Sequence, residues 1–165
     1  MKLIVVGMDN SGKTTLCETL AYKLKALHIK PMGPGHTKEE MLENIMFYMD
    51  QGKNVVFERF SIFEEIVYGN VLRGNSKFTL DDINRIRRFN PVIVYCRPSK
   101  DVIFNFGTRS QMPGVIEQKE KLLKAWDNLI YDTITGFKII KYDWTKDKLG
   151  NLLPGGIDNE YYTCD

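Results

Sequence analysis

The residues best equipped for chemistry are Gly7-Met8-Asp9-Asn10-Ser11-Gly12-Lys13-Thr14, which match G-x-x-x-x-G-K-[ST] at every fixed position. A loop of this kind turns backbone N–H groups inward onto phosphate oxygens. Glycines at 7 and 12 permit the dihedrals and the close approach this requires. The Lys13 ammonium is expected to reach the outer phosphates, and the Thr14 hydroxyl to ligate Mg²⁺. Asp9, Asn10, Ser11, Gly12, Lys13, Thr14 and Thr15 are therefore the expected nucleotide contacts. A second group is Glu58-Arg59, a carboxylate beside a guanidinium at the end of an apolar run. Such a pair can serve a metal shell or a proton and an anionic group at once. Arg97, after another apolar run, and Arg109, in a loop over 107–113, are further candidate phosphate ligands.

These groups need elements to hold them. Leu3-Ile4-Val5-Val6 reads as a buried parallel strand leading into the loop. The helix after the loop is expected over 13–27, with Leu16, Leu20, Leu24 and Leu27 on one stripe. A short strand is expected near His28, then a helix over 38–51, a strand at 54–59 and a helix over 61–72. Thr79-Leu80-Asp81-Asp82 resembles a capping box opening another helix. Strands at 91–96 and 138–142 follow, separated by a short helix at 99–106 and a long helix over 114–135 with Ile116 facing inward. Alternating strands and helices imply a three-layer α/β/α fold around a parallel sheet. Ligands in such folds sit at the carboxyl ends of the strands, which places the glycine loop, Glu58-Arg59 and Arg97 around one cleft.

The chain has 165 residues, 43% hydrophobic and 27% charged, with a net charge of +2. That suits one domain over 1–149 with a loosely attached tail at 150–165. The small net charge gives no long nucleic-acid groove. Cys17, Cys96 and Cys164 are far apart and odd in number, which argues against a disulfide framework. Cys17 and Cys96 are expected to be buried. His28 and His36 show no ligand spacing. Neither a membrane-spanning run nor a signal peptide is evident, so a cytoplasmic location is expected.

In Gly7 to Thr15 and in Val56-Phe57-Glu58-Arg59-Phe60 the chain resembles the thymidylate kinase and deoxynucleoside kinase branch of P-loop kinases. The run from Glu58-Arg59-Phe60 to Val67-Tyr68-Gly69 is most similar to phage-type members, whose location would be the host cytoplasm. The resemblance implies a P-loop NTPase fold with a short lid, and ATP and Mg²⁺ as cofactors. It implies catalytic roles for Lys13, Glu58, Arg59 and Arg109, with Thr14 and Glu58 at the metal. It also places adenine near Tyr142-Asp143-Trp144-Thr145. One departure concerns Met32-Gly33-Pro34-Gly35, where thymidylate kinases carry an arginine that clamps the acceptor phosphate. The acceptor expected first is a pyrimidine deoxynucleoside monophosphate. The alternatives are a hydroxyl on a modified base such as 5-hydroxymethyluracil in DNA, or a nucleotide-binding switch with no acceptor. A homodimer is compatible with this reading.

Overall fold

The computed structural model describes residues 1–33, 35–105 and 113–152. Five strands, β1 (Lys2–Val6), β2 (Leu27–Ile29), β3 (Val55–Glu58), β4 (Val92–Cys96) and β5 (Lys138–Tyr142), form one sheet in the order β2-β3-β1-β4-β5. All four pairings are parallel. The helices are α1 (Lys13–Lys23), α2 (Lys38–Asp50), α3 (Ser61–Glu64), α4 (Leu80–Arg87), α5 (Lys100–Asn105) and α6 (Lys119–Asn128). α3 runs on as a π-helical stretch over Glu65–Arg73, and α6 runs on similarly over Leu129–Thr133.

The period-2 alternation of the strands divides the core into two layers. Leu3, Val5, Val56, Val94 and Cys96 face α1 and pack on Leu16, Cys17 and Leu20. Ile4, Val6, Val55, Phe57, Ile93 and Tyr95 face the other way and pack with residues of α2, α3, α4 and α6. On that second face Trp126 is fully buried, stacked near Tyr95 and edge-on to Tyr68. The three-layer α/β/α expectation is met.

Local signals set several helix starts. Thr37 and Glu40 form a reciprocal capping box at α2, with Thr37 N–H donating to Glu40 Oε2 at 2.8 Å and Glu40 N–H to Thr37 Oγ1 at 3.2 Å. Thr79 N–H donates to Asp82 Oδ2 at 2.8 Å at the start of α4, as its sequence suggested. Other boundaries differ from the expectation. α1 stops at Lys23 because Lys25 takes a left-handed conformation, φ 47°, and turns the chain into β2. Leu27 therefore belongs to the strand and not to a helical stripe. Residues 113–118 form turns, with Gly114 at φ 83°, so α6 starts only at Lys119. Helical periodicity does not apply to Ile116, which is 63% exposed. Leu152, in a 3₁₀ turn over Leu149–Leu152, is buried against the α1 layer. Residues 153–165, including Cys164, lie outside the described residues.

Gly7 has φ +140°, and a Cβ there would lie 2.4 Å from the Cys96 carbonyl oxygen, a backbone atom of the neighbouring strand. Gly7→Ala is expected to lower unfolding free energy by about 2 kcal/mol or more, because both the dihedral and the contact oppose it. A urea titration measures this. A midpoint unchanged from wild type would show that the loop relaxes freely.

Candidate functional site

Parallel pairing of β1 with β3 sets Val5 level with Glu58. The chain leaving β1 thus enters the glycine loop beside the end of β3. Gly12, at φ +86°, precedes α1, and Lys13 is the first residue of that helix. Lys13 is buried, and its ammonium donates to the Met8 carbonyl across the loop. Burial, reinforced by the nearby Arg59 charge, lowers its pKa from the usual lysine value. The Ser11 hydroxyl is buried with no hydrogen-bond partner among the described residues.

Glu58 is 6% exposed and has both carboxylate oxygens engaged. Thr14 Oγ1 donates to Glu58 Oε1 at 2.6 Å, and His28 Nε2 lies 2.9 Å from Glu58 Oε2. The sequence-expected pairing of Thr14 with Glu58 at one metal is therefore geometrically available, and His28 joins it. No local pattern flagged His28. Its signal lies only in the β2–β3 register, which sets it beside Val56.

Arg59 follows at φ 53°, a left-handed conformation uncommon for a residue other than glycine. Its guanidinium pairs with Asp9 of the loop and lies 3.6 Å from Glu64 Oε2. Burial works against the Arg59 charge, but Glu64 and Asp9 outweigh it and hold the guanidinium protonated more firmly than usual. Glu64 is a functional candidate that sequence reading missed. It sits where α3 gives way to its π-helical extension, its Oε1 is sealed with no hydrogen-bond partner among the described residues, and burial pushes its pKa up to about 7 against the pull of Lys13 and Arg59. One turn on, the Tyr68 hydroxyl is also buried, with the Trp126 ring edge-on beside it. An acidic residue on the buried side of an otherwise apolar Ile62-Phe63-Val67 face was the available signal.

Arg97 stands apart from this cluster. It makes a two-pronged contact with Asp127, at 2.9 and 3.0 Å, beside a cavity of about 330 Å³ at the ends of β4 and β5. Its guanidinium is thus engaged by Asp127 in this structure. Trp144, just past β5, packs on the loop, since a Cβ at Gly12 would lie 2.7 Å from its Cδ1. Arg87 and Arg88 lie over Phe137 and Phe89. Arg109 lies outside the described residues. Cys17 and Cys96 are buried free thiols, as expected.

The donor set suits Mg²⁺ and a polyphosphate. Two hard oxygens, Thr14 Oγ1 and Glu58, meet beside a buried lysine and an unpartnered buried hydroxyl. The raised pKa of Glu64 also fixes a sign. From its ordinary 4.5 to about 7 in the fold, Glu64 contributes stability that is whole below pH 4.5 and lost as pH rises through 7. Glu64→Gln should therefore flatten the decline in melting temperature between about pH 5 and 8 relative to wild type. Parallel pH profiles of the two proteins would refute the assignment.

Neither a family model nor a curated protein sequence matches the chain. Solved structures do. YorR from Bacillus subtilis, in complex with phosphorylated GDP, is 19% identical at a TM-score of 0.73, over 92% of this chain and 91% of that one. The deoxyadenosine kinase of M. mycoides, with dCMP and dCDP bound, is 16% identical at 0.61, over 92% and 94%. The thymidylate kinase of Candida albicans is 15% identical at 0.54, over 85% and 82%. Likeness at these identities shows the fold: this chain has the three-layer architecture of the P-loop kinases, a five-stranded parallel sheet flanked by helices.

Proposed function

We propose that this protein is a P-loop kinase that transfers the γ-phosphoryl group of ATP to a nucleotide-like acceptor. The observation that carries the reading is the convergence of Lys13, Thr14, Glu58 and Arg59 at the carboxyl ends of β1 and β3. Lys13 binds the outer phosphates from inside the loop. Thr14 and Glu58 hold Mg²⁺, which supplies charge neutralisation on the phosphoryl oxygens. Asp9 orients Arg59, whose guanidinium serves the acceptor side and the charge developing during transfer. The indole of Trp144, packed on Gly12, gives the adenine ring an apolar neighbour. Arg109 is the lid arginine in this reading.

The resemblance to thymidylate kinases makes a pyrimidine deoxynucleoside monophosphate the first acceptor class. A specific observation favours a second class, a hydroxyl acceptor such as a nucleoside or a modified base in DNA. Arg59, Arg73 and Arg97 are each held by carboxylates: Asp9 and Glu64, Glu65, and Asp127 respectively. None of the three is an uncommitted clamp for two further negative charges. For a hydroxyl acceptor, Glu58 takes the proton as the oxygen attacks phosphorus and ADP departs.

Label transfer from γ-labelled ATP to dTMP, dUMP, dCMP, thymidine, and duplex DNA with and without 5-hydroxymethyluracil tests the reading. Label on a free monophosphate supports the first class, and label on thymidine or modified DNA alone supports the second. Tight nucleotide binding with no acceptor labelled would favour a nucleotide-binding switch. Arg59→Ala is expected to slow transfer by about 10³-fold or more. Its ATP affinity should stay within about tenfold of wild type, in contrast to Lys13→Ala. Equal losses of ATP affinity in the two variants would overturn the division of labour.

A further inference from the structure

Beneath the phosphate loop, three elements bring together a thiol, an imidazole and a carboxylate. Cys17 is on α1, His28 on β2 and Glu58 on β3, and their ligand atoms all lie within 4.8 Å of one another. The fold accounts for the meeting. The β2–β3 register pairs His28 with Val56, and Glu58 is two residues further along β3, so His28 and Glu58 share the sheet face that α1 covers. On α1, Cys17 lies three residues beyond Thr14, on the same helical face, and Thr14 already touches Glu58. Cys17 is fully buried, Glu58 nearly so, and His28 is 17% exposed, which leaves one side open to solvent.

We propose that Cys17, His28 and Glu58 form a binding site for a borderline-soft divalent cation, Zn²⁺ by preference, with water completing a tetrahedron. The donor set differs from that of the Thr14–Glu58 pair, with which it shares the Glu58 carboxylate. Thiolate and imidazole favour Zn²⁺ or Co²⁺ and are poor ligands for Mg²⁺, which selects oxygen. Tetrahedral zinc sites place neighbouring ligand atoms about 3.3–3.8 Å apart, so the longest separations must close by up to about 1.5 Å and the 2.9 Å His28–Glu58 contact must open by roughly 0.5 Å. A thiolate and a carboxylate cancel the charge of a divalent cation, so the loaded site is neutral in its buried setting. Metal binding displaces the Cys17 thiol proton to solvent. The His28–Glu58 contact of 2.9 Å shows that two of the three ligands already converge.

A consequence rests on the kinase reading. The ion occupies the carboxylate that braces Thr14, so Zn²⁺ should inhibit transfer even with Mg²⁺ in excess.

Binding itself is read without reference to activity. Titration of the full chain with Co²⁺ should give a thiolate-to-cobalt charge-transfer band and tetrahedral visible absorption at one equivalent, displaced by Zn²⁺. Cys17→Ser should abolish the charge-transfer band, and Cys164→Ser should retain it. His28→Asn, at a partly exposed edge-strand position, should weaken Co²⁺ binding by about tenfold or more, and serves if the serine variant is misfolded. No band in wild type, or a band that survives Cys17→Ser, would overturn the proposal. A Cys17-dependent band in a protein that labels no acceptor would leave the metal site standing and count against the kinase.

Discussion

The structure depends on the parallel pairing of β1 with β3. Once Val5 is set level with Glu58, the phosphate loop leaving β1 and the Glu58-Arg59 pair leaving β3 must occupy the same cleft. No loop chemistry could substitute for that register. A shift by one residue would turn Glu58 to the opposite sheet face, away from Thr14 and α1. The apolar strands secure the register, because both faces of the sheet are buried and every slip would expose a different side chain.

Around that register the charges are arranged to offset one another. Lys13 and Arg59 are countered by Asp9 and Glu64 within one buried neighbourhood. An uncompensated lysine at this depth would be costly, and so would a free carboxylate. Among the described residues this leaves four buried side-chain polar atoms without partners, Ser11 Oγ, Glu64 Oε1, the Tyr68 hydroxyl and Trp126 Nε1. Native interiors seldom leave such atoms unmatched without a reason, and here the first three gather near the loop and the start of the α3 helix. Arg59 adds backbone strain at the same place, since its left-handed φ is what carries the guanidinium back toward Asp9.

The fold is shared with YorR at 19% identity and with a deoxyadenosine kinase and a thymidylate kinase at 16% and 15%. Fold likeness at that distance leaves function to be argued from the site. Here the site retains the Lys-Thr loop and the carboxylate-arginine pair, while the arginine expected in the segment around Gly33 is replaced by methionine at position 32. Arg73 and Arg97 are paired with Glu65 and Asp127, which is the physical ground for weighing a hydroxyl acceptor beside a phosphate.

By itself the sequence determined the phosphate loop, the strand and helix flanking it, the Thr79 cap and the α/β class, because each is written in contiguous residues and local periodicity. It also brought Glu58 and Arg59 to the cleft, since a strand end is a local feature and parallel sheets bind at that edge. Tertiary structure decided the rest. His28 gains its partner only through the pairing of β2 with β3, and Cys17 meets both only because α1 lies over that face. Arg97 looked free in sequence and is captured by Asp127 from α6, thirty residues away. Glu64 looked like an ordinary helix acid until burial beside Lys13 and Arg59 gave it its shifted pKa. In each case the missing information was the identity of a distant neighbour, which periodicity cannot encode.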